Sequence, residues 1–361
     1  MERNESMAEI INLMMQPAFT VKDGIIVLIN EAAKQYTLEA GTNISDLLAT
    51  GSVEYRELTG GCLYLTLTIC GIPCGASVNR MSEFDLFTLE EESDQAELQA
   101  MALAAQELRA PLSNVMSIAD QLFPVVDGTE EPAMRDQISR INRGLFQMLR
   151  IVSNMSDAYR YNQQKEQHQA IVEMRSFADE IFAKSAEMLS RANAELRFSN
   201  LERPVYTLAD KEKLERAIYN ILSNAMKFSS KGSCINAHLT CRNNMLYLTV
   251  QDNGSGVSQN VRGTVYNRFR RRPGLEDTRF GIGLGMVMIR SAAAVHGGTV
   301  LLDQPDGCGT RLTMTMAIRQ TVDTQVRSPI LRVDYAGEHD HPLLELSDVL
   351  PAELYGFDRM N

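Results

Sequence analysis

The sequence predicts an α+β multidomain chain in three parts: a small N-terminal α+β domain, an antiparallel helical hairpin and a C-terminal α/β sandwich. Three observations carry that prediction. Two long segments each hold an unbroken apolar seam that steps by three and four. Downstream, short alternating apolar runs interleave with segments of helical period. Three pieces rich in glycine or asparagine, between 220 and 285, surround one of those alternating runs.

Length and composition set the frame. At 361 residues, 44% hydrophobic and 22% charged, the chain suits two or three globular domains. A net charge of −11 excludes a general nucleic-acid binder. Six cysteines show no CxxC pair and no zinc spacing, and read as reduced thiols of a cytoplasmic protein. No apolar run of about 18 residues occurs, so no membrane span is expected. The acidic opening MERNESMAEI lacks the apolar core of a signal peptide.

Residues 1–88 form the first domain. Phe19 and Val21 lead to an Asp23-Gly24 turn and then Ile25–Ile29, a hairpin. Asn30–Leu38 is expected to be helical. Cys62–Ile69 alternates as a strand, with Gly71 and Pro73 expected to end it and Ala76–Val78 to start another.

Residues 89–165 form the hairpin. In the first helix, 89–122, the seam is Leu98, Met101, Ala105, Leu108, Leu112, Val115, Ala119 and Leu122. Phe123-Pro124 and Asp127-Gly128 are expected to break it. A second helix starts near Pro132, a favoured first-turn proline. Its seam is Met134, Ile138, Ile141, Leu145, Met148, Val152, Met155 and Tyr159. One apolar stripe per helix leaves much to bury, so two copies are predicted to pair into a dimeric four-helix bundle.

Residues 170–320 form the third part. Ala178–Leu189 and Leu214–Met226 read as helices. Ile235–Leu239, Leu246–Val250, Thr299–Leu302 and Leu312–Ile318 read as strands. Asn220, Asn224 and Lys227 fall at i, i+4 and i+7, on one helix face. Two carboxamides and an ammonium there suit Mg²⁺ and phosphate oxygens. Asp252 follows the strand 246–250, where its carboxylate can accept from an exocyclic amine, and Gly254 and Gly256 let the backbone approach a flat ring. Gly281-Ile282-Gly283-Leu284-Gly285 opens an apolar helix, Met286–Val295, whose free N–H groups suit phosphate. Residues 321–361 are expected to be a tail, polar at Glu338–Pro342 and apolar again from Leu343, where it can dock on the body.

These pieces resemble the sensor histidine kinases and their wider ATPase superfamily, which includes gyrase and Hsp90. The asparagine box is Asn220–Phe228, and the two glycine boxes are Asp252–Gly256 and Gly281–Gly285. The phenylalanine box is Tyr266-Asn267-Arg268-Phe269, and Gly307-Cys308-Gly309-Thr310 precedes the last strand, as in the family. The resemblance covers roughly 95–320. It implies ATP and Mg²⁺ as cofactors, with Mg²⁺ on Asn220 and Asn224. Lys227, Phe228, Asp252, Gly254, Gly256, Phe269, Arg271, Gly281, Gly283, Leu284, Gly285 and Thr310 would line the nucleotide under a lid carrying Arg270–Arg272. The partners it implies are a second copy or another histidine kinase, and a response regulator receiver domain. The N-terminal domain loosely resembles a PAS sensor domain.

The resemblance also exposes one departure. Gln106-Glu107-Leu108-Arg109-Ala110-Pro111-Leu112 matches the family's phosphoacceptor segment, but Gln106 stands where the histidine takes the phosphoryl group. Imidazole offers a nucleophilic lone pair near neutral pH, whereas a carboxamide nitrogen is delocalised into its carbonyl. Glu107 holds the position of the general base but has no proton to take from Gln106. Ala110 removes the polar group that the family uses to orient water. None of His168, His238, His296, His339 or His341 falls in that segment. Self-phosphorylation is therefore not expected. Two further readings stay open: a kinase acting in trans on a partner's histidine, and an ATP-independent dimeric scaffold, a pseudokinase. A serine kinase of the anti-sigma type shares the ATPase fold but lacks the paired helices.

Overall fold

The computed structural model describes residues 11–90, 93–127, 132–163, 169–229, 232–257, 265–266, 283–305, 309–319 and 340–356.

Strands β1 (Ala18–Lys22) and β2 (Ile25–Ile29) form the expected hairpin. Asp23 and Gly24 both take positive φ, 51° and 80°, as the right-handed twist of a tight hairpin requires. Asn30 then caps a 3-10 turn, Glu31–Tyr36, its Oδ1 accepting from the Ala33 N–H at 2.9 Å. The helix expected over 30–38 is this shorter, tighter turn. Helix α1 (Ser52–Glu57) leads into β3 (Cys62–Ile69) and β4 (Ile72–Arg80). Pro73 does not end a strand: it lies within β4, opposite Thr68, and the reversal is made by Cys70 and Gly71. Strand β5 (Asp85–Leu89), which sequence reading passed over, inserts between β1 and β4. Phe19 stacks on Phe87 at 4.9 Å inside this sheet's own core, beside Ile26, Leu63 and Val78.

Helices α2 (Ser93–Asp127) and α3 (Pro132–Gln163) pack along one another. The first begins later than expected, because Leu89 closes β5, and it runs through Pro124 to Asp127. A proline removes one helical bond. The helix nevertheless continues through both Pro111 and Pro124. Among the described seam positions, alternate ones are buried: Leu98, Ala105, Leu112 and Ala119 on α2, and Leu145 and Val152 on α3. Leu108, Val115, Met134, Ile141 and Met148 are exposed, between 39% and 57%.

The remaining elements are β6 (Ala170–Glu173), α4 (Met174–Arg191), β7 (Glu195–Ser199), β8 (Tyr206–Ala209), α5 (Lys211–Phe228), β9 (Cys234–Arg242), β10 (Met245–Asp252), α6 (Gly285–Val295), β11 (Val300–Asp303) and β12 (Thr310–Ala317). Leu246, Leu248 and Val250 of β10 and Leu312, Met314 and Met316 of β12 share a core with α4, α5 and α6. The opposite face carries polar pairs such as Thr249–Thr313, at 3.1 Å. This is a sheet with helices over one face.

Two features go beyond the local pattern of the sequence. First, the N-terminal sheet and this sheet are one, in the order β2-β1-β5-β4-β3-β11-β12-β10-β9-β7. The joint is a short antiparallel ladder in which Cys62, Leu63 and Tyr64 face Leu302, Leu301 and Val300. The Tyr266 hydroxyl sits on it, 2.9 Å from the Cys62 carbonyl and 2.8 Å from that of Val300. Second, residues 340–356 fold onto the body, with helix α7 (His341–Glu345) capped by Asp340 and continued by a 3-10 turn at Ala352–Tyr355. Leu343, Leu344, Leu346, Leu350, Leu354 and Tyr355 are all buried. No helix among the described residues is long and apolar enough to cross a membrane.

Candidate functional site

Helix α5 is set by its cap and its apolar side. The Asp210 carboxylate accepts from the Lys213 N–H at 3.2 Å, and Leu214, Ala217, Ile218, Ile221, Leu222 and Ala225 face the sheet. Asn220 and Lys227 are largely buried on the other side, and Asn224 is half-buried. The Asn220 Nδ2 donates to the Arg216 carbonyl at 2.8 Å. Its Oδ1 accepts from the Arg150 guanidinium of α3 at 3.2 Å.

Asp252 ends β10 with only 5% of its surface exposed. Its Oδ1 accepts from the backbone N–H of Gly254 at 2.7 Å and of Thr310 at 3.2 Å. Burial raises its pKa above the ordinary carboxylate value, although these two backbone donors favour the charged form. The turn after Asp252 needs its glycine: a Cβ at Gly254 would sit on the Phe228 carbonyl. The Gly309 N–H donates to the Gly254 carbonyl at 3.0 Å, which ties the last glycine turn to the first glycine box. Gly283 takes φ of 78° just before α6, and a Cβ at Gly285 would lie 3.0 Å from Asn220 Oδ1. Leu284 packs with Val287 and Met288 against Leu98 of α2 and Ala158 of α3.

Two groups thus form along α5: Asn220 meets Gly285, and eight residues on Phe228 meets Gly254, which with Thr310 holds Asp252; Asn224 and Lys227 lie between them on the helix, and Gly256 is in the same turn as Gly254. Gly281, Phe269 and Arg271 lie outside the described residues, as do the other lid arginines. Gln106 and Glu107 stand apart, exposed on α2. Gln106 is eight residues beyond Leu98 in sequence, about 12 Å of helix at the usual rise.

Sequence reading missed the charged residues that fill the α5 face. Asp348 pairs with both Lys227 Nζ and an Arg150 nitrogen, each at 2.6 Å. Glu345 accepts from Arg216 at 3.0 Å and from Arg150 at 3.3 Å. Arg216 also pairs with Asp157 and donates to Asn154 Oδ1 at 2.6 Å. Burial, then the Arg150 charge, lowers the Lys227 pKa, and Asp348 only partly offsets them. Burial would raise the Asp348 pKa, but Arg150 and Lys227 together hold it below the ordinary carboxylate value. One signal was available: Glu345 interrupts the leucine run Leu343-Leu344-Glu345-Leu346, as a carboxylate with a buried partner does.

The same residues lie within a recognised domain. Residues 209–320 match the family described as histidine kinase-, DNA gyrase B- and HSP90-like ATPase. This segment is a histidine-kinase-type ATPase domain. It holds Asn220, Asn224, Lys227, Asp252, Gly283 and Thr310. Similarity to histidine kinases extends beyond that domain. The chain is 26% identical over 246 residues to hybrid signal transduction histidine kinase D of Dictyostelium discoideum, covering 66% of this chain and 16% of the relative. It is 26% identical over 242 residues to sensor histidine kinase WalK of Bacillus subtilis, covering 64% of this chain and 38% of WalK. The chain therefore spans well under two-thirds of the length of these curated relatives. Full-length ShkA, solved in complex with AMPPNP, aligns with a TM-score of 0.50 at 18% identity, over 62% of this chain and 46% of ShkA. That likeness is one of fold. The ATPase domain is accordingly the part on which a function can be built.

Proposed function

We propose that this chain is a sensor-histidine-kinase-like protein of two-component signalling that binds Mg-ATP and has no phosphoacceptor of its own. One observation carries the nucleotide reading: boxes far apart in sequence touch, with Asp252 accepting from the Thr310 N–H at 3.2 Å, Ser255 donating to the Phe228 carbonyl at 3.4 Å, and Asn220 lying against Gly285. The buried Asp252 carboxylate suits an exocyclic amine such as adenine's, because Gly254 and Thr310 hold it in place. Gly254 and Gly309 keep side chains out of the approach. The N-terminus of α6, opened by Gly283 and Gly285, offers N–H groups to phosphate, and Lys227 offers a charge.

The donor set fits Mg²⁺ in part. Asn224 presents a carboxamide oxygen, but Asn220 Oδ1 already accepts from Arg150, so Asn220 would join a metal only after Arg150 withdraws. The ion, when bound, screens the phosphate charge. Phosphoryl transfer to this chain fails at Gln106, whose carboxamide nitrogen is not a nucleophile. A histidine on a heterodimer partner would have to accept instead.

The exposed half of each helical seam supports dimerisation. Leu108 and Val115 on α2, and Ile141 and Met148 on α3, recur every seven residues and are exposed in the single chain. A second copy, or another histidine kinase, would complete a four-helix bundle on that stripe. A receiver domain is the proposed downstream partner. The N-terminal five-stranded antiparallel sheet supports a PAS-like assignment for residues 1–88.

A second reading is an ATP-independent scaffold. It is favoured by the internal bonds already made to Asn220 and Lys227.

The test is labelled-ATP phosphorylation of the native chain beside Gln106→His, with calorimetric Mg-ATP titration of both. Mg-ATP binding by both, with acid-labile phosphate on the histidine variant only, supports the proposal. Binding by neither leaves the scaffold. Labelling of the native chain at another residue refutes the argument from Gln106.

A further inference from the structure

Residues 340–356 dock on the part of the molecule that the nucleotide reading needs free. Their apolar side chains, Leu343, Leu346, Leu350 and Tyr355 among them, fill a seam between α3 and α5. Tyr355 packs edge-on against Phe146 of α3 at 5.2 Å, and its hydroxyl donates to the Leu343 carbonyl at 2.8 Å. Polar anchors on α3 hold the backbone. Asn142 donates to the Tyr355 carbonyl at 3.0 Å, Arg143 to the Ser347 and Asp348 carbonyls at 3.0 and 3.1 Å, and Gln147 to that of Ser347 at 3.1 Å.

The acidic side chains of this segment address the cations of the site. The Asp348 carboxylate lies 2.6 Å from Lys227 Nζ, on the α5 face that carries Asn220 and Asn224. It also lies 2.6 Å from Arg150, whose other terminal nitrogen donates to Asn220 Oδ1. Glu345 bridges Arg150 and Arg216, so α3 and α5 are clamped through one carboxylate. A nucleotide phosphate brings negative charge to Lys227. Asp348 would then face it across the same ammonium, and like charges at that range repel. Docking of the segment is also reversible in principle, because its apolar burial is offset by the ordering of a whole chain segment.

We propose that residues 340–356 are an autoinhibitory latch, with Asp348 holding Lys227 and Arg150 holding Asn220 until nucleotide displaces them. This rests on the nucleotide reading of the site. Nucleotide and latch compete for Lys227, and opening the latch also frees α3 from α5 at Glu345. The observed affinity for Mg-ATP is then the intrinsic one reduced by the open fraction.

The experiment compares Mg-ATP titrations of the full chain with those of Asp348→Asn, which keeps shape and hydrogen bonding but removes the charge. A second variant, Leu350→Ala with Leu354→Ala, loosens the apolar side of the latch and leaves every charge in place. Hydrogen exchange of 340–356 is followed in the native chain with and without saturating Mg-ATP. The latch predicts tighter binding in both variants, about tenfold for a latch that is closed roughly nine-tenths of the time. It also predicts faster exchange of 340–356 when nucleotide is bound. Native chain and variants binding equally, or unchanged exchange, overturns the latch and leaves the nucleotide reading standing. Weaker binding by Asp348→Asn overturns it as well, and makes Asp348 part of the Mg-ATP site. If no protein binds, the nucleotide reading falls and the latch with it.

Discussion

His296 should make the fold acid-sensitive in a window where histidine, not carboxylate, titrates. It sits at the end of α6 with 2% of its surface exposed. Its Nε2 accepts from the Asp210 N–H at 3.0 Å, so Nδ1 carries the proton and donates to the Ala292 carbonyl at 2.6 Å. The neutral ring is therefore fully bonded, and a second proton would cost the Asp210 contact. Burial lowers its pKa from 6.5 to about 4, against opposing pulls from the Ala292 carbonyl and the Asp210 charge and with Arg319 and Lys213 adding to the fall. Below pH 6.5 the unfolded chain takes up a proton that the folded chain refuses. Stability is thus intact at neutral pH and is lost as the pH falls towards 4. One unit is worth about 1.4 kcal/mol, which makes the loss about 2 kcal/mol at pH 5 and about 3 kcal/mol at pH 4. His296→Gln offers a donor and an acceptor in similar places and does not titrate. Urea unfolding of both proteins at pH 7, 6, 5 and 4 should show their difference shrinking or reversing by that amount. Parallel curves would refute the argument, and so would a native protein that gains stability on acidification.

Two other outcomes follow from packing and charge. Ile141→Asp, on the exposed half of the α3 seam, should turn a dimer into a monomer by light scattering. It should change the monomer's own stability by no more than about 0.5 kcal/mol, as surface changes do; an unchanged mass would put the interface elsewhere. Asp157→Ala removes one partner of Arg216, a guanidinium with no exposed surface. It should cost about 3 kcal/mol or more, read as a lower denaturant midpoint. The same change at Glu195, whose partner Arg197 is on the surface, should leave the midpoint in place.

Much of this architecture is legible in local periodicity. Leu246, Leu248 and Val250 alternate, and β10 follows them; Leu214–Met226 has helical period, and α5 extends it only to its cap and last turn. Local chemistry also pointed to Asn220, Asp252 and Gly254, because the glycines that the turn needs are visible as letters. What local pattern cannot carry is pairing across the chain. Arg150 and Asp348 are nearly two hundred positions apart in sequence, and nothing near either one names the other. Seam positions such as Leu108 and Leu112 are alike in sequence, yet one is open and one is buried, because α3 reaches only half of the stripe. Pro124 misled as well. Its local preference is to stop a helix, and the helix runs three residues past it to Asp127. Strand β5 was missed because Asp85-Leu86-Phe87-Thr88-Leu89 is short and opens on a carboxylate, which here pairs with Arg80 at 2.8 Å.

The β3–β11 joint has a consequence for behaviour in a crowded solution. An unpaired edge strand displays a row of free N–H and C=O groups, ready to template another chain. Without the joint, the N-terminal sheet would end on β3 and the ATPase-domain sheet on β11. Each instead shields the other through Cys62–Tyr64 and Val300–Leu302, and an isolated bridge from Leu48 covers Leu67 further along β3. Gly61 permits the approach, since a Cβ there would sit on the Leu302 carbonyl. Parting the two sheets would bare two sticky borders at once. A chain prised open at this point would tend to aggregate, so the junction guards solubility as well as shape.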